Sequence, residues 1–223
     1  MSATDDLLAG FAILHRHGLG ARIAGHLTHR DDTREGFWTH RFGLGFHEVG
    51  RDALVLADFA LNPLAGQGGI NPTLHIHAAI YRARPDVRAI AHTHGVNVAT
   101  LSATDAEFVP CSQMGGLFQD DICTVDEADL IVLDASAGAA MARALGPRAA
   151  VILRNHGCLV VGGDMPTTVL RTLALEEACE VQLRAMATGR MQGMGAEAAR
   201  QVKSFVLRPE IIRAYWDYEC RQG

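Results

Sequence analysis

Three histidines occupy positions from which their side chains could meet at one metal ion. His92 and His94 lie at the end of an apolar stretch that predicts a strand, and residues two apart in a strand point to the same side of a sheet. His156 follows a second apolar stretch, and Gly157 allows a sharp turn after it. Three imidazoles that leave a coordination position open are typical of a catalytic metal site. The same ligands suit Zn, Mn, Fe and Co, so they do not identify the metal.

Short helices and strands would have to position these histidines. Apolar residues at helical spacing predict helices over residues 5–17, 72–84, 96–103, 125–145 with a break near Leu133, 166–187 and 209–220. Short apolar stretches between polar turns predict strands over residues 23–28, 36–39, 46–49, 53–57, 87–92, 149–154 and 158–162. No βαβ period repeats and no glycine-rich nucleotide motif occurs. The pattern therefore favours a layered α/β domain with a mostly antiparallel sheet over a doubly wound nucleotide-binding fold.

Composition narrows the class of protein. The 223 residues carry 20 Lys and Arg against 25 Asp and Glu, a net charge of −5, and 48% are hydrophobic. This predicts one globular domain over residues 1–223 and argues against nucleic acid as a partner. No apolar run reaches the roughly 20 residues that span a bilayer, and the acidic start lacks a secretory signal, so we expect a cytoplasmic protein without a membrane partner. Five scattered cysteines without a CxxC pair predict neither disulfides nor a thiolate zinc site.

Longer stretches of the sequence resemble the class II aldolase and adducin family. The matching text is GHLT at 25–28, FGL at 42–44, HAAIYRARPDVRAIAHTHG at 77–95 and ILRNHGCLVVG at 152–162. The resemblance implies a three-layer α/β/α fold with a largely antiparallel sheet, and one divalent ion per subunit held by His92, His94 and His156. It also implies a homotetramer with active sites between subunits, and a C-terminal helical segment, residues 208–223, that covers the site.

The departures from that family concern its sugar-phosphate aldolases. Those enzymes carry a glutamate four positions before the helix histidine, where this chain has Thr73, and a hydroxyl cannot serve as a base near neutral pH. Phe42 and Pro72 replace small donors of the phosphate pocket. A phosphosugar substrate is therefore disfavoured. The sequence is more similar to the branch that includes decarboxylases of hydroxylated aromatic or pyridine carboxylates and a few non-heme iron oxygenases.

Several further residues are predicted to bind the substrate. His26 and Arg30 flank a strand that lines the pocket in the family, where they would bind a carboxylate or phenolate oxygen. We hypothesise that Arg41 or His40 pairs with a substrate carboxylate, because guanidinium suits bidentate carboxylate recognition. A solvated loop arginine is the competing interpretation of Arg41. Two more positions, Gly43 and Thr73, are predicted to line the same pocket.

These observations predict a divalent-metal lyase that cleaves a carbon–carbon bond. The favoured reaction is decarboxylation of a small hydroxylated aromatic or heteroaromatic acid, with a metal ion stabilising the electron-rich product of CO2 loss. His26, Tyr215 or water would then return a proton to carbon. The partner is thus a small-molecule carboxylate.

Three alternatives remain open from the sequence. One is an aldolase acting on an unphosphorylated oxo-acid or sugar, and another is a non-heme iron oxygenase on the same fold. The third is a non-enzymatic, adducin-like interaction module. Such modules usually lose the three histidines that this chain keeps.

Overall fold

The computed structural model describes residues 2–20, 22–126 and 134–222, and its described strands form one mixed sheet. In chain order the strands are β1 (His26–Arg30), β2 (Gly36–His40), β3 (Leu54–Asp58), β4 (Pro63–Ala65), β5 (Ala89–Thr93), β6 (Ile122–Val125), β7 (Ala150–Leu153) and β8 (Gly157–Gly162). Their spatial order is β4-β3-β2-β1-β5-β8-β7-β6. Neighbouring strands are antiparallel except β6 and β7, which are parallel.

Helices cover both faces of the sheet. They are α1 (Ala3–Arg16), α2 (His75–Ala83), α3 (Val96–Ser102), α4 (Ala135–Leu145), α5 (Met165–Ala187), α6 (Ala196–Val206) and α7 (Pro209–Cys220). Helices α2 and α4 bury their apolar residues against one face, and α1, α3 and α5 against the other. This confirms the predicted three-layer α/β/α architecture with a mostly antiparallel sheet.

Side-chain alternation in the central strand β5 separates the two cores. Ile90 packs into the cluster under α2 and α4, whereas Ala89 and Ala91 pack into the cluster under α1 and α5. Because side chains alternate along a strand, His92 lies on the same face as Ile90. The ligand-bearing end of β5 therefore opens toward the α2 side of the sheet.

Helix ends follow local chemistry. The side chain of Asp164 accepts a hydrogen bond from Thr167 N at the start of α5, and Pro166 occupies the first turn, where its missing N–H has no partner to lose. The side chain of Asp134 caps α4 in the same way. Hence the helix predicted over residues 125–145 begins only at Ala135. Its predicted break near Leu133 lies outside the described residues.

The predicted strand over residues 46–49 is wrong. Phe46–Glu48 forms a single 3₁₀ turn, in which the Glu48 carboxylate accepts a hydrogen bond from Gly45 N. Phe46 is buried against the ring of Phe11, so its apolar character reflects packing under α1 rather than a place in the sheet. The sequence pattern also missed β4, β6 and α6. None of the helices in the described ranges is long and apolar enough to cross a membrane.

Candidate metal centre

Strand pairing brings the three predicted ligands to one end of the sheet. His92 and His94 lie at the end of β5, and His156 lies in the tight turn that joins β7 to β8. Strands β5 and β8 are neighbours, with His92 opposite Leu159. At Gly157 a Cβ atom would overlap the carbonyl oxygen of Thr93, so only glycine permits this close approach.

The three imidazoles form a compact group. One potential ligand nitrogen from each of His92, His94 and His156 lies within 4.8 Å of the other two. The Nε2 atoms of His92 and His94 are 2.9 Å apart. The ring of His156 has its centroid 5.1 Å from that of His92 and 4.6 Å from that of His94. These residues could therefore hold one metal ion.

The hydrogen bond behind His92 determines which nitrogen faces the group. His92 Nδ1 lies 2.9 Å from the carbonyl oxygen of Cys158, and a carbonyl can only accept, so Nδ1 carries the proton. His92 Nε2 then presents its lone pair toward His94. In histidines that bind a metal, the N–H group of the other ring nitrogen commonly donates a hydrogen bond to such a carbonyl.

Burial keeps the rings of His92 and His94 neutral. Desolvation, reinforced by the neighbouring histidines His26, His94 and His156, lowers the pKa of His92 well below its usual value. Desolvation and His156 lower the pKa of His94 to about 4. Neutral imidazoles with converging lone pairs are the donors that Zn, Mn, Fe or Co would require, so the residues fit a divalent ion.

A cleft of about 280 Å³ opens over the three histidines. Its other lining residues are His26, Asn71 and Thr73, together with the apolar Ile23, Ala24, Phe42, Pro72 and Ile76. Ile23 and Phe42 form its rim and are 50% and 51% exposed. No Lys, Arg, Asp or Glu is among the described residues that line this cleft. It therefore suits a ligand with an apolar body whose oxygen atoms meet the histidines.

His26 and Thr73, both predicted to line a substrate pocket, contact each other inside the cleft. His26 is 3% exposed, and its Nε2 lies 2.8 Å from Thr73 Oγ1. The Thr73 hydroxyl in turn donates to Asn71 Oδ1 at 2.8 Å. Desolvation and nearby histidines, His77 first, lower the pKa of His26 well below its usual value. His26 is consequently a neutral hydrogen-bonding group at this site.

The other predicted substrate-binding residues have different surroundings. The guanidinium of Arg30 donates to the carbonyl oxygens of Tyr81 and Val87 and lies over the Tyr81 ring. The buried ring of His40 packs edge-on against Phe11, 5.0 Å between centroids. None of the four residues predicted alongside His26 and Thr73 lines the cleft. They are Arg30, His40, Arg41 and Gly43.

Tyr215, predicted as a proton donor, lines a different cleft of about 390 Å³. Its neighbours there include Asn97, Glu176 and Glu219, and the two clefts share no lining residue. Within one chain, Tyr215 is thus not adjacent to the three histidines. Its predicted catalytic role stays a prediction.

The structure adds cleft residues that were not predicted from the sequence to bind substrate. Asn71 lines the cleft and also starts the 3₁₀ turn Pro72–Leu74, where its Oδ1 accepts from Thr73 N at 3.0 Å. An Asn directly before Pro is a recognisable cap, so this signal was available in the sequence. Ile23, Ala24 and Ile76 carry no such signal, because apolar residues in a cleft have the same types as core residues.

Comparison with known proteins supports the resemblance seen in the sequence. A family model described as Class II Aldolase and Adducin N-terminal domain matches residues 5–183. The decarboxylase NovR of Streptomyces niveus is 31% identical over 181 residues, covering 80% of this chain and 67% of that protein. A protein of Streptomyces roseochromogenus subsp. oscitans, named 4-hydroxy-3-prenylphenylpyruvate oxygenase/4-hydroxy-3-prenylbenzoate synthase, is 31% identical and covers 80% of this chain and 65% of that protein.

A solved structure shows the same fold. The L-fuculose 1-phosphate aldolase from Glaciozyma antarctica PI12 superposes with a TM-score of 0.87 at 27% identity, covering 98% of this chain and 87% of the other. Proteins similar to this chain therefore carry names of three reaction types: decarboxylase, oxygenase and aldolase. The choice among these three reactions for this chain therefore depends on the residues of its own site.

Proposed function

The chain belongs to the class II aldolase and adducin family, and we propose that it is a divalent-metal-dependent lyase that decarboxylates a small hydroxylated aromatic or heteroaromatic acid. The observation that carries the proposal is the composition of the cleft. A cluster of three histidines opens into a mostly apolar space without an acidic base or a cationic clamp among its described lining residues.

His92, His94 and His156 would hold the ion. When bound, the ion would supply Lewis-acid stabilisation of charge on adjacent substrate oxygens. The hydrogen bond from His92 Nδ1 to the Cys158 carbonyl would fix the orientation of the His92 ring. The residue types leave the choice among Zn, Mn, Fe and Co to experiment.

The apolar walls would hold the substrate ring and disfavour its carboxylate. The exposed Phe42, Ile23 and Pro72, with the buried Ile76, offer apolar contact to a planar ring. A carboxylate placed among them finds no cationic side chain among the described residues that line this cleft, so desolvation raises its free energy relative to neutral CO2. That difference favours decarboxylation.

The polar residues would orient the substrate and the incoming proton. Asn71 uses its Oδ1 for Thr73, which leaves its amide N–H₂ group as a donor to a substrate oxygen. Loss of CO2 leaves an electron pair on the ring carbon, and a proton must reach that carbon. We assign this proton to water in the cleft, with the Thr73 hydroxyl oxygen as the group that orients the water and His26 as the group that positions Thr73.

Thr73 also bears on the aldolase alternative. Aldol cleavage and its reverse require a base that removes a proton, and Thr73 stands where the sugar-phosphate aldolases carry a carboxylate. Decarboxylation starts without a base. The cleft likewise lacks the several small donors that a phosphate group needs, because Phe42 and Pro72 line it.

An iron oxygenase is the second candidate, since a relative carries that name and three imidazoles also suit Fe(II). An oxygenase requires O2 for turnover and a decarboxylase does not, so the effect of O2 on turnover separates the two candidates. The family's tetramer, with active sites at subunit interfaces, and a cytoplasmic location remain part of the proposal.

The test uses the full chain, stripped of metal and reloaded separately with Zn, Mn, Fe(II) or Co. CO2 release is measured from hydroxybenzoates, hydroxypyridine carboxylates and unsubstituted benzoate, under nitrogen and under air. We expect metal-dependent release from the hydroxylated acids, equal in both atmospheres, and none from benzoate. His94→Ala should abolish it, whereas His15→Ala, at an exposed position on α1, should not. A requirement for both iron and oxygen, or cleavage of a phosphosugar, would overturn the proposal.

A further inference from the structure

Two buried ring nitrogens next to the cleft lack a hydrogen-bond partner among the described residues. They are His26 Nδ1 and His77 Nε2. His77 is fully buried on α2, and its ring centroid lies 5.5 Å from that of His26. A buried polar atom without a partner is unfavourable, so two such atoms on adjacent rings call for a common explanation.

The protonation of His26 follows from its neighbours. Asn71 Oδ1 accepts from Thr73 N, which identifies that atom as the oxygen, and it therefore also accepts the Thr73 hydroxyl proton. With its own proton used, Thr73 Oγ1 must accept from His26 Nε2, 2.8 Å away. A neutral His26 then has its proton on Nε2 and a lone pair on the buried Nδ1.

The hydrogen bonds that join His77, Thr28 and Tyr81 can run in either of two senses, and each sense gives His77 a different tautomer. Thr28 Oγ1 lies 2.8 Å from His77 Nδ1 and 2.7 Å from the hydroxyl oxygen of Tyr81. If Tyr81 donates to Thr28, then Thr28 donates to His77 Nδ1 and the His77 proton lies on Nε2. In the reverse sense, His77 Nδ1–H donates to Thr28, and Thr28 donates to Tyr81. Lone pairs then remain on both His77 Nε2 and His26 Nδ1, and the buried Tyr81 hydroxyl hydrogen has no acceptor among the described residues. Only the first sense places a donor on one ring next to an acceptor on the other.

We propose that one directional chain of hydrogen bonds runs behind the cleft and holds His26 in a single tautomer. From first donor to last acceptor, its members are Tyr81, Thr28, His77, His26, Thr73 and Asn71. The link from His77 Nε2–H to His26 Nδ1 is the inferred member of this chain: the ring centroids lie 5.5 Å apart, and neither nitrogen has another hydrogen-bond partner among the described residues. Each other link is a contact of 2.8 Å or less.

This chain positions His26 and does not supply protons. Its far end is Tyr81, which is fully buried, and burial raises the pKa of that phenol well above its usual range. Tyr81 therefore keeps its proton. What the chain sets is the polarity of the cleft: Thr73 gives its proton to Asn71 and offers the substrate only an oxygen lone pair.

His77, Thr28 and Tyr81 are thus positioning residues that act through His26. The tautomer is a property of the folded chain and does not depend on the reaction. Its effect on turnover rests on the proposed function, so the two are tested separately.

The tautomer test uses full-length protein labelled with ¹⁵N-histidine, both metal-free and loaded with Zn. Two-bond ¹H–¹⁵N spectra report which ring nitrogen carries the proton, and loss of signals in His26→Gln and His77→Gln assigns them. We expect protons on Nε2 of both rings. In Thr28→Val, His77 should populate both tautomers and the His26 Nδ1 signal should move toward that of an unbonded lone pair.

Two matched variants serve as controls. Thr28→Ser keeps the hydroxyl and should preserve the wild-type spectrum. Thr172→Val removes an equally buried hydroxyl, one that donates to Thr168 O within α5, and should also leave both rings unchanged. A wild-type His26 with its proton on Nδ1, or an unmoved His26 signal in Thr28→Val, would overturn the chain of hydrogen bonds.

The kinetic arm tests the role in catalysis. Thr28→Val should lower kcat about tenfold with KM nearly unchanged, whereas Thr28→Ser should have the kcat of wild type. A moved tautomer with wild-type kcat would refute the positioning role. The expected spectra combined with no turnover of any acid tested would refute the proposed function and leave the hydrogen-bond chain standing.

Discussion

His26 on β1 lies directly opposite His92 on β5, and the centroids of the two rings are 5.0 Å apart. One is a candidate metal ligand and the other a cleft residue that hydrogen-bonds to Thr73. Antiparallel pairing fixes this relationship, because opposite residues share a face of the sheet. The register of β1 and β5, rather than any loop, therefore places the non-ligand imidazole beside the metal site.

Replacement of Gly157 should damage the metal site through the backbone. In Gly157→Ala the new Cβ would overlap the carbonyl oxygen of Thr93, which would push the β7–β8 turn and His156 away from His94. We expect loss of about 1–3 kcal/mol in the free energy of unfolding and loss of most bound metal. Thermal unfolding and metal analysis measure both. At Gly163, just after β8, a Cβ would lie 3.7 Å from its nearest neighbour, so Gly163→Ala should retain metal and stability.

His40 should make stability depend on pH. Desolvation lowers its folded-state pKa to about 4, below the unfolded value of about 6.5, so the unfolded chain binds this proton first as pH falls. Its contribution is therefore present above pH 6.5 and lost as pH falls toward 4. The loss amounts to about 3 kcal/mol.

The difference between wild type and His40→Gln isolates this contribution from those of other buried histidines. Urea unfolding should show a shallower fall in the free energy of unfolding for His40→Gln between about pH 7 and 4. His47→Gln, at an exposed histidine, should follow the wild-type curve. Parallel curves for His40→Gln and wild type would contradict the assignment.

Phe42 should affect substrate binding and not stability. Its side chain is 51% exposed at the rim of the cleft, so removing it leaves no core cavity. We expect Phe42→Ala to raise KM for an aromatic acid by about three- to tenfold, the loss of one ring contact, with little change in melting temperature. Phe205→Ala removes a ring of similar exposure on α6 and should leave KM unchanged.

Arg41 should have little effect on carboxylate affinity. It does not line the cleft, and its side chain lies against the loop at Gly68, where a Cβ would come within 2.9 Å of Arg41 Cβ. We therefore expect Arg41→Ala to leave KM for the acid within about twofold of wild type. A tenfold rise in KM would instead support the carboxylate pairing suggested by the sequence.

The sequence predicted much of the fold because its signals are local. Pro166 and Pro209 stand in the first turns of α5 and α7 and marked where these helices start, and the spacing of His92 and His94 within a strand placed both on one side. The predictions failed where the structural role of a residue depends on contacts with residues far away in the sequence. Phe46 resembles a strand residue until α1 is seen to cover it.

The candidate site was predictable to a similar extent. The histidine cluster followed from two local motifs, whereas the role of Arg30 did not. Nothing local shows that its guanidinium is occupied by the carbonyl oxygens of Tyr81 and Val87. The same holds for Tyr215, whose position depends on how α7 packs against α5.

Metal content and CO2 release, measured on the same anaerobic samples, test whether the three-histidine site drives decarboxylation. Wild type and His94→Ala would be loaded with graded amounts of metal and supplied with the best hydroxylated acid of the panel. We expect one ion per chain in wild type, CO2 release proportional to metal occupancy without oxygen, and neither property in His94→Ala. Release independent of metal, or turnover that begins only when oxygen is admitted, would contradict it.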